Sequence, residues 1–265
     1  MEADATGSVR GGSGAEGGGL LSAAMHANGM IFAALDCDAD AIEAWNRWYD
    51  LEHIPPNVQL DGIMYGNRYV ATAALHDQRL PDAAEGFAEG RSTFLTVYTL
   101  TKDVAGVFAD MTEYREHLVT ADRMFPDEKK IVRLGDGLDL RWVLADPALK
   151  ADDWDVPHIC HTAIHVVFVR NGGEHYRDVW APAAVEVPGV SAVLGLDSRY
   201  QEGGVQLLVH LLDGDPEQVV PALRDATAHA DGGEVLVDGS WLLIQPLHYP
   251  WADGIRQSWL PATVQ

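Results

Sequence analysis

The sequence predicts an α+β protein built from two similar halves, and three observations carry that prediction. The order strand, helix, strand, strand, helix, strand occurs twice along the 265 residues. Four residues of the first half recur in the second at a constant offset of 127: Tyr49 with Tyr176, Pro55 with Pro182, Val58 with Val185 and Gly62 with Gly189. Hydrophobic residues make up 47% of the chain, enough for a packed core in each half.

Met30 to Leu35 reads as a short buried strand, and Asp36 to Asp40 as a turn with helix-capping residues. A helix follows from about Ala39 to His53. Ile42, Trp45, Tyr49 and His53 fall along one face of it at helical period, with Glu52 on the flank. Pro55 and Pro56 are expected to end this helix near His53, because proline has no N–H and disfavours the α region before it. Gly62 opens a second strand to about Ala73, and residues 76–91 read as a loop. Ser92 to Leu100 is strand-like, Asp103 to Thr120 has helical spacing, and Lys130 to Leu144 reads as a long strand. After Asp146-Pro147 the order returns: strand 158–169, helix 174–184, strands 190–200 and 205–212, helix 216–229 and strand 235–248. This order is the split βαβ unit of ferredoxin-like folds. A repeated order with matching positions points to an internal duplication. The boundaries expected are a Gly/Ala-rich tail over 1–27, repeats over 28–147 and 156–248, and an aromatic C-terminal tail over 249–265. For the tail at 1–27, Met25 or Met30 is an alternative natural start.

Composition narrows the function. Eighteen basic against forty acidic residues give a formal charge of −22, which repels phosphate backbones and anionic lipid. Nucleic acid and membrane are therefore not expected as partners. Two cysteines without a CxxC pair indicate neither a disulfide framework nor a thiolate zinc site. No apolar run is long enough to span a bilayer and no signal peptide is evident, so a cytoplasmic protein is expected. Neither a Gly-x-Ser-x-Gly elbow nor a dinucleotide fingerprint is present.

The chemistry-bearing residues concentrate at the end of the first helix. His53 can take and return a proton near neutral pH. Tyr49, one turn earlier, can stabilise an oxyanion, and Trp45 and Trp48 can wall a pocket for a flat apolar molecule. Asn57, Asn67, Arg68 and Tyr69 are candidates to complete the polar set. The bland alternative is a helix-end histidine bonded to a backbone carbonyl, among ordinary core aromatics. At the same offset Trp180 stands where His53 does, so only the first half keeps the histidine. A second group, His161, His165 and His210, is expected on one sheet face, toward the barrel lumen or solvent. It is an alternative metal set, although His161 and His165 would lie about 13 Å apart on a regular strand.

The run Trp48-Tyr49-Asp50-Leu51-Glu52-His53-Ile54-Pro55, with Gly62 opening a strand that ends in Arg68-Tyr69, resembles the dimeric α+β barrel superfamily. Within it the likeness is to EthD-like and antibiotic-biosynthesis-monooxygenase-like domains. The resemblance implies two tandem ferredoxin-like repeats that pair their sheets into a barrel within one chain, with pseudo-dimers able to pair further as a homodimer. It implies a site between sheet and helices and a small, largely apolar substrate. The function expected is a cofactor-independent lyase or isomerase, cyclase-like, acting on an aromatic, polyketide or steroid-like carbonyl compound through His53 and Tyr49. A cofactor-free monooxygenase, a haem-binding enzyme and a non-catalytic ligand-binding domain are the alternatives.

Overall fold

The computed structural model describes residues 26–80, 87, 92–228 and 232–258. The expected tail lies almost wholly outside them. Eight antiparallel strands close into a barrel in the order β1-β3-β2-β8-β5-β7-β6-β4. They are β1 Gly29–Cys37, β2 Ile63–Val70, β3 Phe94–Leu100, β4 Lys130–Ala145, β5 Ala163–Arg170, β6 Val190–Ser198, β7 Val205–Leu212 and β8 Glu234–Leu243. Each half contributes four consecutive neighbours in the same relative order, β4-β1-β3-β2 and β8-β5-β7-β6. The two seams between halves differ. β4 and β6 pair through seven residue pairs, whereas β2 and β8 pair only at Tyr69–Leu243 and Val70–Leu242.

Strands such as Phe94–Leu100 are buried on both faces, one against the lumen and one against helices, which explains their nearly continuous apolar sequences. The lumen is a packed core, as expected for eight strands. Phe32 and Phe168 meet edge to face there, 5.5 Å apart, and the remaining lumen cavity is about 20 Å³. Helices α4 (Val104–Thr120) and α6 (Pro216–Thr227) cover the outer faces. Asp103 and Asp215 cap them by accepting backbone N–H bonds from Gly106 and Glu217. Gly62 and Gly189, at matching positions, both have φ of +96°, where a side chain would be strained.

Several boundaries differ from expectation. The first helix does not stop at the prolines: α1 (Ile42–Trp48) runs into a π turn over Tyr49–His53 and then into α2 (Ile54–Asn57). The Ile54 N–H reaches back five residues to the Tyr49 carbonyl, and this wider turn admits the proline rings that would clash in a regular helix. The second half repeats the device, with a π turn at Tyr176–Trp180 leading into α5 (Ala181–Val185). A short helix, α3 (Ala73–Asp77), begins before the expected loop; most of residues 81–91 lie outside the description. β5 starts five residues later than expected, with His158 ending a 3-10 turn. The C-terminal tail packs on its own chain: Tyr249, Trp251 and α7 (Ala252–Ser258) join the cluster around Ile42 and Trp45. Among the described residues no helix is long and apolar enough to cross a membrane.

Candidate functional site

The π turn at Tyr49–His53 lies over the outer face of β2 and β3 and gathers an aromatic and cationic cluster. The His53 ring stacks on Trp48 at 4.5 Å between centroids and meets Tyr49 edge-on at 4.8 Å. The Arg68 guanidinium sits over the other side of the Tyr49 environment, 4.2 Å from its ring centroid. Arg68 is buried and pairs with Asp50 at 3.3 Å, and its Nη2 donates to Asn46 Oδ1 at 2.5 Å. Asp50 in turn accepts from the Leu247 N–H at 2.8 Å and the Tyr249 hydroxyl at 2.5 Å, which ties the C-terminal tail to the site.

Enclosed polar atoms of this cluster with no hydrogen-bond partner among the described residues include Trp45 Nε1, His53 Nδ1, Arg68 Nε and Tyr98 Oη. Such groups are rare in folded proteins and each calls for a reason. Burial, reinforced by the positive charges of Arg68 and Lys130, pushes His53 down to a pKa of about 3, so its imidazole is neutral at pH 7. Burial also raises the Tyr49 phenol, with Arg68 opposing. Arg68, itself paired with Asp50, and Lys130 thus disfavour a positive charge on His53. A pocket of about 200 Å³ opens beside the cluster, lined by Asp50, Ile54, Gly66, Asn67, Arg68, Leu243, Ile244 and Pro246; Tyr49 and His53 are not among its lining residues.

The structure brings together only part of the expected set. Tyr49, His53, Arg68, Trp45 and Trp48 are neighbours. Trp45 and Trp48, however, are core residues packed on Phe125 and line no described pocket. Trp48 also donates to the Arg123 carbonyl at 3.0 Å. Asn57 is turned to its own helix, donating to the His53 carbonyl at 2.6 Å. Tyr69 points through the sheet into the lumen, because neighbours of Arg68 on a strand face the opposite side, whereas Asn67 borders both the lumen cavity and the pocket beside Arg68. In the lumen the Tyr69 hydroxyl bonds His161 Nε2 at 2.8 Å.

The histidine group is also corrected. His165 and His210 do share a face, but it is the helix-covered face rather than the lumen. Their neighbours Ile164, Val166, Val209 and Leu211 are the residues that fill the lumen. His161 precedes β5 and bonds Tyr69, so the three do not converge. Among the described residues no group of three or more His, Cys, Asp or Glu side chains is placed to hold a metal ion. His161 is the one of the three that lines a described pocket, the lumen cavity of about 20 Å³, which has no room for a haem.

Asn46, Asp50 and Tyr98 were missed in the sequence. Asn46 and Asp50 lie four residues apart, one turn of helix, which was the available signal. Tyr98 shares the two-residue alternation of Phe94 and Leu100 on β3.

No protein-family model and no curated protein matches the sequence. Solved structures do resemble the fold. One described as a candidate chlorite dismutase aligns over 86% of this chain and 98% of its own, with a TM-score of 0.51 and 9% identity. Two looser likenesses are an anthrone oxidase-like protein and a candidate monooxygenase from Lactobacillus acidophilus. The first aligns over 83% of this chain and 93% of its own, with a TM-score of 0.47 and 12% identity. The second covers 82% and 93%, with a TM-score of 0.44 and 10% identity. At such identities the first likeness speaks for the fold alone, a mixed α+β chain closed into a barrel of the dimeric α+β type.

Proposed function

We propose that this chain is a cofactor-independent enzyme acting on a small, largely apolar carbonyl or phenolic compound, with its site at the Tyr49–His53 turn. The observation that carries the proposal is the set of enclosed, unpartnered polar atoms around Tyr49, beside the buried Arg68. A ligand oxygen placed among them would receive hydrogen bonds that the protein itself leaves unmade. The buried guanidinium would stabilise an enolate or phenolate, and Tyr49 would donate to the same oxygen. His53 is neutral and enclosed, so it acts by accepting the substrate proton once the developing anion offsets Arg68 and Lys130. Lyase, isomerase and cyclase reactions that begin with removal of a proton next to a carbonyl pass through such an anion.

The same electropositive environment favours a second reading. A stabilised carbanion can react directly with dioxygen, as in a cofactor-free monooxygenase, and two of the looser structural likenesses carry oxidase or monooxygenase names. The architecture behind both readings is a duplicated ferredoxin-like unit. It is supported by the shared strand order, the two π turns and the paired glycines at +96°.

The test is a turnover screen of small aromatic and polyketide ketones and phenols, followed by mass spectrometry, run with and without dioxygen. A converted compound should lose most of its rate in His53→Ala and Tyr49→Phe variants that remain folded. Full turnover in both variants would remove this site from the reaction. Dependence on dioxygen would select the monooxygenase reading.

A further inference from the structure

The position of His53 in the first half is taken in the second by Trp180, and there the described residues leave a space beside the turn. A pocket of about 240 Å³ lies between the Tyr176–Trp180 turn, the end of α6 and β8. The matching space in the first half, between the His53 turn and the α4–β4 connection, holds Met124 and Phe125. The Phe125 ring packs on Trp45 and Trp48 at 5.1 and 5.6 Å. The two halves therefore offer different cavities.

The open pocket is walled by Tyr176 and Trp180 and carries Arg224, Thr227 and Asp238 as its polar groups. The Arg224 Nε donates to both oxygens of Asp238 at 3.1 and 3.2 Å, and its Nη2 donates to Asp238 and to the Gln78 carbonyl. Among the described residues no hydrogen bond engages Nη1. Behind Asp238 stands His165, fully buried, its Nδ1 held 2.9 Å from Ser240 Oγ. Its Nε2 lies 3.4 Å from Asp238 Oδ1 without hydrogen-bond geometry, and is an enclosed polar atom with no partner. Trp180 is itself fixed in place, its indole N–H donating to His210 Nε2 at 3.1 Å while His210 Nδ1 bonds the His165 carbonyl at 3.0 Å.

We propose that this pocket of the C-terminal half is a second small-molecule site, for a flat, uncharged one- or two-ring compound bearing a carbonyl oxygen. The ring would lie against Trp180 and Tyr176, and the carbonyl would accept from Arg224 Nη1. Asp238 already neutralises Arg224, and the chain carries a net charge of −22, so a carboxylate gains little here. The proposal does not depend on the reading of the His53 cluster.

The test titrates the full chain with 1-tetralone and with tetralin, its hydrocarbon counterpart, by ligand-observed NMR. Tetralone is expected to bind with a Kd of about 1 mM, as suits so small a ligand. It should bind about 10-fold more tightly than tetralin, the effect of one hydrogen bond from a charged donor. Ala228 is exposed at the rim, so Ala228→Trp fills the mouth without disturbing the core and should abolish binding. Arg224→Lys keeps the ion pair but removes Nη1, and should bring tetralone down to the affinity of tetralin. Binding lost in Ile54→Trp but kept in Ala228→Trp would move the ligand to the first half and overturn the proposal. Equal binding of the two compounds, or none at about 5 mM, a few times the expected Kd, would overturn it as well.

Discussion

The Asp50–Arg68 pair is the sharpest place to test the energetics of the first cluster. Asp50→Ala removes the acceptor of a guanidinium that is buried and that otherwise bonds only Asn46 among the contacts seen. Stripping one partner from a buried ion pair costs about 3–5 kcal/mol, because the remaining charge stays desolvated. The same substitution frees the Leu247 N–H and the Tyr249 hydroxyl, which belong to the exposed edge of the tail and add about 1 kcal/mol. For a chain of this size the sum corresponds to a fall in Tm of roughly 8–24 °C. Arg68→Met alone should cost less, since an apolar side chain can occupy part of the space over Tyr49. The double variant should recover much of the loss, with a coupling of about 2–3 kcal/mol in urea unfolding. Additive single effects, or a Tm change of under about 2 °C for Asp50→Ala, would refute the claim that Arg68 is held as a desolvated charge.

Two further outcomes follow from groups described above. His53 titrates near 6.5 when unfolded but about 3 when folded, so the unfolded state binds the extra proton and stability falls as pH drops from about 6.5 toward 3. His53→Phe should make the pH dependence of the unfolding free energy, measured in urea, shallower by up to about 1.4 kcal/mol per pH unit between pH 6 and 4; an unchanged slope would mean that His53 protonates freely in the fold. Gly62→Ala and Gly189→Ala should each destabilise by about 1–3 kcal/mol, because the new Cβ would sit at a positive φ and within 2.9 and 2.6 Å of Val107 and Val219. Chemical denaturation measures both, and a neutral result at either position would contradict the matching backbone of the two halves.

Much of the fold was legible because strands and long helices carry their own periodicity. The double βαββαβ order and the offset of 127 were readable from residues alone. The π turns were not, because the two prolines read locally as a stop, and only the carbonyl placement of a wider turn lets the helix pass through them. The site was legible in part. Tyr49, His53 and Arg68 were found by helix spacing and proximity to the second strand. Treating Arg68 and Tyr69 as one set ignored the alternation that sends Arg68 to the helices and Tyr69 to the lumen. The face of His165 was assigned backwards because both faces of β5 are apolar, one covered by helices and the other by the opposite wall of the barrel. Nothing in the local sequence distinguishes those two surroundings. Nor does it reveal that Phe125, seventy-two positions beyond His53, packs beside the first turn while the described residues leave a pocket beside Trp180.

The unequal seams give the barrel a preferred place to part. Seven residue pairs hold β4 to β6, but two hold β2 to β8, and the rest of that joint is made by the turn after β8, through Ile244 N–H to the Arg68 carbonyl and Leu247 N–H to Asp50. Arg68 is thus both the last backbone anchor of the weak seam and the buried charge of the candidate site. One carboxylate, that of Asp50, holds both the turn that completes the short joint and the guanidinium beneath it, so a change at Asp50 acts on seam and candidate site together.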